Sequence, residues 1–194
     1  MEDFLRLENN IIELIKEQQI KLGYRSESVH LYYPMASLNR LMKKQWDEQQ
    51  MAKKLNEFCS QVEKKLGKLK ITKNGDRFCF IVPPQGADYV HKNLSKQDFL
   101  VHFIHTISKQ NCSLKDILAV FFEYSDQVQI EKMTNEEFDY LVYFEDGKPN
   151  DYRYCITVEE HHILYHRFTI EDYNDFGFSI GEKLDSKQQK ELMG

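Results

Sequence analysis

The N-terminal third of the chain carries two long hydrophobic stripes at helical spacing. The first stripe consists of Phe4, Leu7, Ile11, Ile15 and Leu22. The second stripe consists of Met51, Leu55, Phe58, Val62 and Leu66. Gly23 and Gly67 follow the stripes at the position where a glycine in the left-handed conformation commonly ends a helix. The pattern therefore predicts two amphipathic helices, over residues 2–22 and 51–66.

Two short stretches change to the alternation that is typical of strands. Residues 29–33 alternate up to a proline, which predicts an extended segment that is either a strand or a connector. Residues 69–82 alternate on both sides of Asn74-Gly75, a pair that suits a tight hairpin turn. The Pro83-Pro84 pair is expected to end the second strand, because proline cannot donate to a sheet ladder.

Serine and aspartate pairs mark the starts of two further helices. The pairs Ser95-Asp98 and Ser113-Asp116 have the three-residue spacing of a capping box. Each pair precedes apolar residues at helical spacing, over residues 99–107 and 114–122. Ser37 is expected to cap a shorter helix over the following five residues.

The stretch from Phe138 to Ile170 predicts the C-terminal strands of a sheet. Aromatic and branched residues alternate in three segments, which a loop at residues 147–150 and a turn at residues 159–162 separate. The first segment is ambiguous because Thr134 and Glu137 have the spacing of a helix start, so residues 135–144 form either a strand or a helix. Residues 169–176 predict a last short helix.

These elements predict a single α+β domain over residues 1–180, with a helical N-terminal part over residues 1–66. The amphipathic helices are expected to pack on one antiparallel sheet made of the 69–82 hairpin and the C-terminal meander. Residues 181–194 form a polar tail, which is either a loosely attached helix or disordered. With 194 residues, the chain is long enough to bury a core without the help of disulfides or metals.

The charge is distributed unevenly along the chain. Residues 1–122 contain 19 Lys and Arg against 14 Asp and Glu, whereas residues 123–194 contain 7 against 17. Because an acidic surface repels phosphate, no DNA binding is expected through the C-terminal half. A winged helix-turn-helix can be drawn over residues 99–168, but its recognition helix, residues 135–146, would hold five carboxylates and no Lys or Arg.

The composition indicates an ordinary globular protein of the cytoplasm. No apolar run approaches the roughly 20 residues of a membrane span, and the acidic N-terminus lacks a secretory charge pattern. The four cysteines are far apart in the sequence, so they are expected to be reduced and not to form a structural zinc site. We therefore predict no membrane partner and no cofactor, and the oligomeric state stays open.

The turn Glu159-Glu160-His161-His162 is the candidate metal site. Imidazoles and carboxylates bind divalent metals, so a metal-dependent hydrolase that uses these four residues is an alternative function. His162 and His166 are too far apart to share an ion, because four residues of a strand extend over about 13 Å. The ordinary interpretation of this turn is a polar hairpin end.

The leading hypothesis is a non-enzymatic protein-interaction module. Nucleophile-elbow, Walker A and dinucleotide-binding motifs are missing, so the prediction leans against an enzyme. Tyrosines coincide with negative charge in the C-terminal half; tyrosine suits interface cores, and complementary charge speeds encounter. The predicted partner is a basic protein, and the predicted contact residues are Tyr140, Tyr143, Glu145, Asp151 and Tyr152. A third hypothesis is a small-molecule-binding domain with a pocket lined by Tyr and Phe.

Residues 18–42 carry a resemblance to a known family. The groups Leu-Gly-Tyr-Arg at 22–25 and Tyr-Tyr-Pro at 32–34 are similar to the N-terminal part of a domain family of unknown function from gut Firmicutes. The resemblance extends over most of the chain and implies a bacterial cytoplasmic protein. It implies no activity and assigns no catalytic residue to any position.

Overall fold

The structure, a computed structural model, describes residues 2–134, 137–178 and 181–193. The chain divides after Ser95 into two compact units, residues 1–95 (unit 1) and residues 96–194 (unit 2). Both units combine helices with an antiparallel sheet, which confirms the α+β class. In the described part of the chain, no helix has the length and apolar character needed to cross a membrane.

Unit 1 is built around a three-stranded antiparallel sheet with the order β1-β3-β2. Its elements are α1 (Glu2–Leu22), β1 (Val29–Pro34), α2 (Met35–Leu41), α3 (Glu48–Leu66), β2 (Lys70–Asn74), β3 (Arg77–Val82) and α4 (Pro84–Asn93). Segment 29–34 is therefore a strand, and it pairs with β3 from Val29↔Val82 to Pro34↔Arg77.

The two predicted hydrophobic stripes form much of the core of unit 1. Leu7, Ile11 and Ile15 of α1 are fully buried, and the whole predicted stripe of α3 is buried with them. One face of the sheet completes this core with Val29, Tyr33, Phe78, Phe80 and Val82. The opposite face of the same sheet contributes nothing to this core cluster.

Two helix starts in unit 1 differ from prediction. Ser37 is not a cap, because α2 begins at Met35 with Pro34 as its N-cap residue. Pro83-Pro84 does end β3, but α4 also begins there, and this helix was not predicted. Proline stops a strand, and it also suits the first turn of a helix, because the backbone N–H groups of that turn have no acceptor within the helix.

Unit 2 is built around a five-stranded antiparallel sheet with the order β7-β6-β5-β4-β8. Its helices are α5 (Phe99–Ile107), α6 (Leu114–Tyr124), α7 (Ile170–Phe176) and α8 (Ser186–Met193). Its strands are β4 (Val128–Lys132), β5 (Tyr140–Phe144), β6 (Arg153–Val158), β7 (Ile163–Phe168) and β8 (Glu182–Lys183). The polar tail thus contains β8 and α8.

Each face of the unit 2 sheet is covered by apolar side chains. On one face, rings from α5 and α6 meet rings from the strands, with centroids of Phe99 and Phe144 5.0 Å apart and those of Phe121 and Tyr154 5.2 Å apart. On the other face, a second cluster contains Met133, Phe138, Leu141, Tyr143 and Cys155, with Phe168, Tyr173 and Phe178 packed against it. Residues buried in β5 and β6 therefore alternate between two cores.

Two predictions about the sheet are settled by the pairing of the strands. The prediction of one sheet is wrong, because the hairpin and the meander lie in separate sheets. Both edges of β3 are occupied by β1 and β2, so this hairpin strand has no free edge for a C-terminal strand. Of the alternatives for residues 135–144, the strand is correct over Tyr140–Phe144, while residues 135 and 136 lie outside the described residues.

Candidate functional site

One end of the unit 2 sheet gathers four exposed carboxylates, which we call the acidic end: Asp126, Glu145, Asp146 and Asp151. The loops that precede β4 and follow β5 meet there, because Val128 pairs with Phe144 and the Glu145 N–H donates to the Gln127 carbonyl at 2.9 Å. The loop from β5 to β6 carries three of these carboxylates. The fold thus brings together the predicted residues Glu145 and Asp151.

The β5–β6 loop is held by hydrogen bonds from its own side chains. The carboxylate of Asp146 accepts from the Lys148 N–H at 3.1 Å. The amide oxygen of Asn150 accepts from the Tyr152 N–H at 3.2 Å and from the Tyr154 hydroxyl at 3.4 Å. Side chains that bond to nearby backbone in this way fix the course of a turn. The loop therefore presents its carboxylates from an ordered backbone.

Tyr143, a predicted contact residue, is buried beside the acidic end rather than exposed. Its side chain is 8% exposed, and its hydroxyl donates to the carboxylate of Glu131, itself buried, at 2.9 Å. The Arg153 guanidinium lies over the ring, 3.9 Å from its centroid. Burial and the neighbouring carboxylate of Glu131 raise the pKa of the Tyr143 phenol to about 12.

Tyr152 has a similar environment, whereas Tyr140 lies elsewhere. Tyr152 is 7% exposed, and the Arg167 guanidinium lies 4.3 Å from its ring centroid. Tyr140 begins β5 and so lies at the opposite end of this strand from Glu145. The five predicted contact residues therefore do not form one exposed patch: two carboxylates are exposed together, two rings lie beneath arginines, and one ring is distant.

Tyr140 lines a cleft of about 350 Å³ at its own end of the sheet. The residues around the cleft are Leu114, Lys132, Met133, Asp139, Tyr140 and Val158. The Asp139 carboxylate is engaged at the end of β6, where it accepts from the Val158 N–H at 2.7 Å. The cleft combines apolar walls with an ammonium, a carboxylate and a phenol, which is the composition of a small-molecule site.

The histidine turn forms two separate pairs. His162 Nε2 lies 2.9 Å from a Glu159 carboxylate oxygen, and His161 Nε2 lies 4.0 Å from one of Glu160. All four side chains are exposed. Within the described residues, no group of three or more His, Cys, Asp or Glu side chains is placed to hold a metal ion. The geometry therefore lends the metal-dependent hydrolase no support, and that hypothesis stays a prediction.

Three of the cysteines, Cys59, Cys112 and Cys155, lack the environment of an activated nucleophile. All four are free thiols in the structure. Burial raises the pKa of the Cys155 thiol to about 12, and it also raises the pKa of the Cys59 and Cys112 thiols. A raised pKa keeps a thiol protonated at neutral pH, and the protonated thiol is a poor nucleophile. This chemistry fits a structural role for these three cysteines.

The residues that sequence reasoning missed are the partners of the buried tyrosines. Glu131, Arg153 and Arg167 were not predicted to have a role, yet they surround Tyr143 and Tyr152. The alternation along β4 places Glu131 on the same face as the polar Gln129, so parity pointed to an exposed Glu131 and gave no signal of its burial. Strand pairing was needed to identify its partner, because Tyr143 is twelve residues away in the chain.

The family comparison extends over both units. The family described as a domain of unknown function, E. rectale gene description (DUF3877), matches residues 4–177. The chain belongs to this family. DUF3877 is a family of unknown function, as the resemblance of residues 18–42 implied, and it assigns no activity to the acidic end or to the cleft. No curated protein and no solved structure matches the chain.

Proposed function

We propose that the chain is a non-enzymatic protein-interaction module of the cytoplasm, which binds a basic protein partner through the acidic end. The observation that carries the proposal is the meeting of Asp126, Glu145, Asp146 and Asp151 in two adjacent loops of unit 2. Lys148 contributes one positive charge to the same loops, so the net charge there is −3. A concentrated field of one sign favours encounter with a partner of the opposite sign.

The buried tyrosines support this surface from below. The Tyr143 hydroxyl donates to the carboxylate of Glu131, and the Arg153 guanidinium stacks on its ring. The Arg167 guanidinium stacks on the ring of Tyr152. Stacking of a guanidinium on an aromatic ring limits the freedom of both side chains. We therefore assign these tyrosines to the support of the loops, and we assign the partner contacts to the exposed carboxylates.

Charge-neutral variants test the proposal. The test variant replaces the acidic end with amides: Asp126→Asn, Glu145→Gln, Asp146→Asn and Asp151→Asn. The control variant removes four exposed carboxylates of unit 2 elsewhere: Glu137→Gln, Glu159→Gln, Glu160→Gln and Asp175→Asn. Both variants change the net charge equally, so a purely global charge effect would weaken both to the same extent.

Capture of partners from a bacterial extract at two salt concentrations provides the readout. The wild-type chain and the control are expected to retain the same basic protein at low salt, and the test variant is expected to lose it. Raising the ionic strength from about 0.05 M to about 0.5 M should release the protein, because salt screens exposed charges. Equal retention by the test and control variants would contradict the proposal.

A second candidate function, small-molecule binding, rests on the cleft beside Tyr140. The cleft has room for a small ligand and presents Lys132 and Asp139 next to apolar walls. Screening a fragment library by ligand-observed NMR tests it: we expect hits whose signal is lost in Tyr140→Ala and kept in Tyr152→Phe. A library without any hit sensitive to Tyr140→Ala would contradict this second function.

A further inference from the structure

The three-stranded sheet of unit 1 has an open face that its core does not use. The register sets nine residues of this face in three rows, each running across the strands in the order β1, β3, β2. The rows are His30-Ile81-Lys70, Tyr32-Cys79-Thr72 and Pro34-Arg77-Asn74. Neighbouring rows lie about 7 Å apart, because alternate residues of a strand share a face.

The middle row presents an aromatic ring to solvent. Tyr32 is 62% exposed, although its neighbour on the other face, Tyr33, is buried in the core. Cys79 lies beside Tyr32 in the register and is buried, while Thr72 on the outer strand is exposed. The Tyr32 ring lies on the edge strand β1, on the face of the sheet opposite the core of unit 1, and it is exposed there.

The two outer rows each carry a cation, Arg77 on the central strand and Lys70 on the far strand, so both lie across the sheet from the ring on edge strand β1. Lys70 and Arg77 are exposed, and neither forms an ion pair with any described residue. Lys73 of the same hairpin points to the other face and pairs with Glu48 of α3 at 2.7 Å. None of the nine residues of the open face is a carboxylate. Among the described residues of the hairpin, the cations without an ion-pair partner therefore lie on the open face, and the exposed carboxylate of Asp76 lies in the turn next to Arg77.

We infer that the open face binds single-stranded nucleic acid that crosses the sheet from β1 towards β2, with Tyr32 stacked on a base and with Arg77 and Lys70 in contact with phosphates of neighbouring nucleotides. A ring on a sheet stacks with any base, and flanking cations supply the attraction to the backbone. The charge of the whole unit agrees, since residues 1–95 contain 16 Lys and Arg against 12 Asp and Glu. The open face belongs to unit 1, whereas the acidic end, which repels phosphate, belongs to unit 2.

The ring is tested by two substitutions at one position. Binding of the full chain to fluorescein-labelled 12-mers of oligo(U) and oligo(dT) is measured by fluorescence anisotropy at about 0.05 M salt. Tyr32→Leu keeps an apolar cover over Cys79 but removes the π-face, so it should raise Kd at least about fivefold. Tyr32→Phe keeps the π-face and should remain within about twofold of the wild type.

The cations are tested by neutralisation and by salt. The variant Lys70→Gln/Arg77→Gln should lower the slope of log Kd against log salt by about 1.4, since each phosphate contact on a single strand contributes about 0.7. The control Lys53→Gln/Lys64→Gln removes two exposed lysines of α3 and should leave this slope unchanged. Thermal unfolding of each variant establishes that the fold is retained.

Several outcomes would overturn the inference. Absence of binding to either oligonucleotide by the wild type would do so, as would equal loss in Tyr32→Leu and Tyr32→Phe. Equal affinity for a 12-base-pair DNA duplex would show a charge effect without base stacking and would also overturn it. A preference for oligo(U) over oligo(dT) would support RNA as the ligand, and the reverse preference would support single-stranded DNA.

Discussion

Whether a side chain is buried depends on its neighbours in space. Tyr143 of β5 and Tyr152, which directly precedes β6, show this most clearly. The sequence places Tyr143 and Tyr152 among carboxylates, which suggested an exposed aromatic surface. The strand pairing instead buries both rings beneath arginines. Alternation specifies that successive residues face opposite sides of a sheet, but it does not specify which side is covered. Here both sides are covered, so parity could not separate buried tyrosines from exposed ones.

The raised pKa of Tyr143 predicts a loss of stability in alkali. The folded chain holds this phenol proton up to a pKa of about 12, whereas the unfolded chain releases it near the ordinary value of 10.0. Between these values the unfolded state binds fewer protons, so the free energy of unfolding falls as the pH rises. Urea unfolding between about pH 9 and pH 11 should show a shallower fall in Tyr143→Phe than in the wild type. Identical pH dependence in the two proteins would disprove the assignment.

Helices and strands followed the hydrophobic patterns more closely than the cap signals: Ser37 is not a cap, and Asp98 takes the place predicted for Ser95 as the N-cap residue of α5. The stripe of α3 and the capping box of Ser113 and Asp116 are present as predicted, and the stripe of α1 is buried at Leu7, Ile11 and Ile15 but not at Leu22, which is 70% exposed. The helix α4 was missed because Pro83-Pro84 has two meanings, as a strand end and as a helix start. The start signal at Thr134 and Glu137 left residues 135–144 open between strand and helix, and Tyr140–Phe144 is a strand because it gains its hydrogen bonds from β4 and β6.

Gly86 is the residue that lets α4 approach the end of α3. A Cβ atom built there would lie 2.4 Å from Val82 Cγ1 and 2.7 Å from the Leu66 carbonyl oxygen, and the second of these is backbone. Gly86→Ala is therefore expected to lower the free energy of unfolding by about 1–3 kcal/mol, as overpacking does. The control Lys92→Ala, at an exposed position of the same helix, should stay within about 0.5 kcal/mol. The free energy of unfolding is measured with urea. A Gly86→Ala variant that is as stable as the wild type would contradict this packing.

Across the whole molecule, charge was easier to predict than architecture. The acidic C-terminal half was evident from counting, and the structure concentrates part of that charge at the acidic end. The division after Ser95 had no signal, because no Pro-, Gly- or Ser-rich linker surrounds it. Single-domain organisation accordingly stays a prediction. The separation of the two sheets was equally hidden, since alternation identifies strands but does not identify their partners.

The affinity for a captured basic partner tests the central claim most directly. Kd for that purified protein is measured by biolayer interferometry at about 0.05 M salt, with the wild type, the acidic-end variant and the four-carboxylate control. Exposed charge pairs contribute about 0.2–1 kcal/mol each, so loss of four carboxylates should weaken binding at least about fourfold. We expect this loss for the acidic-end variant and a change in Kd below about twofold for the control. Equal affinities for the wild type and the acidic-end variant would contradict the central claim.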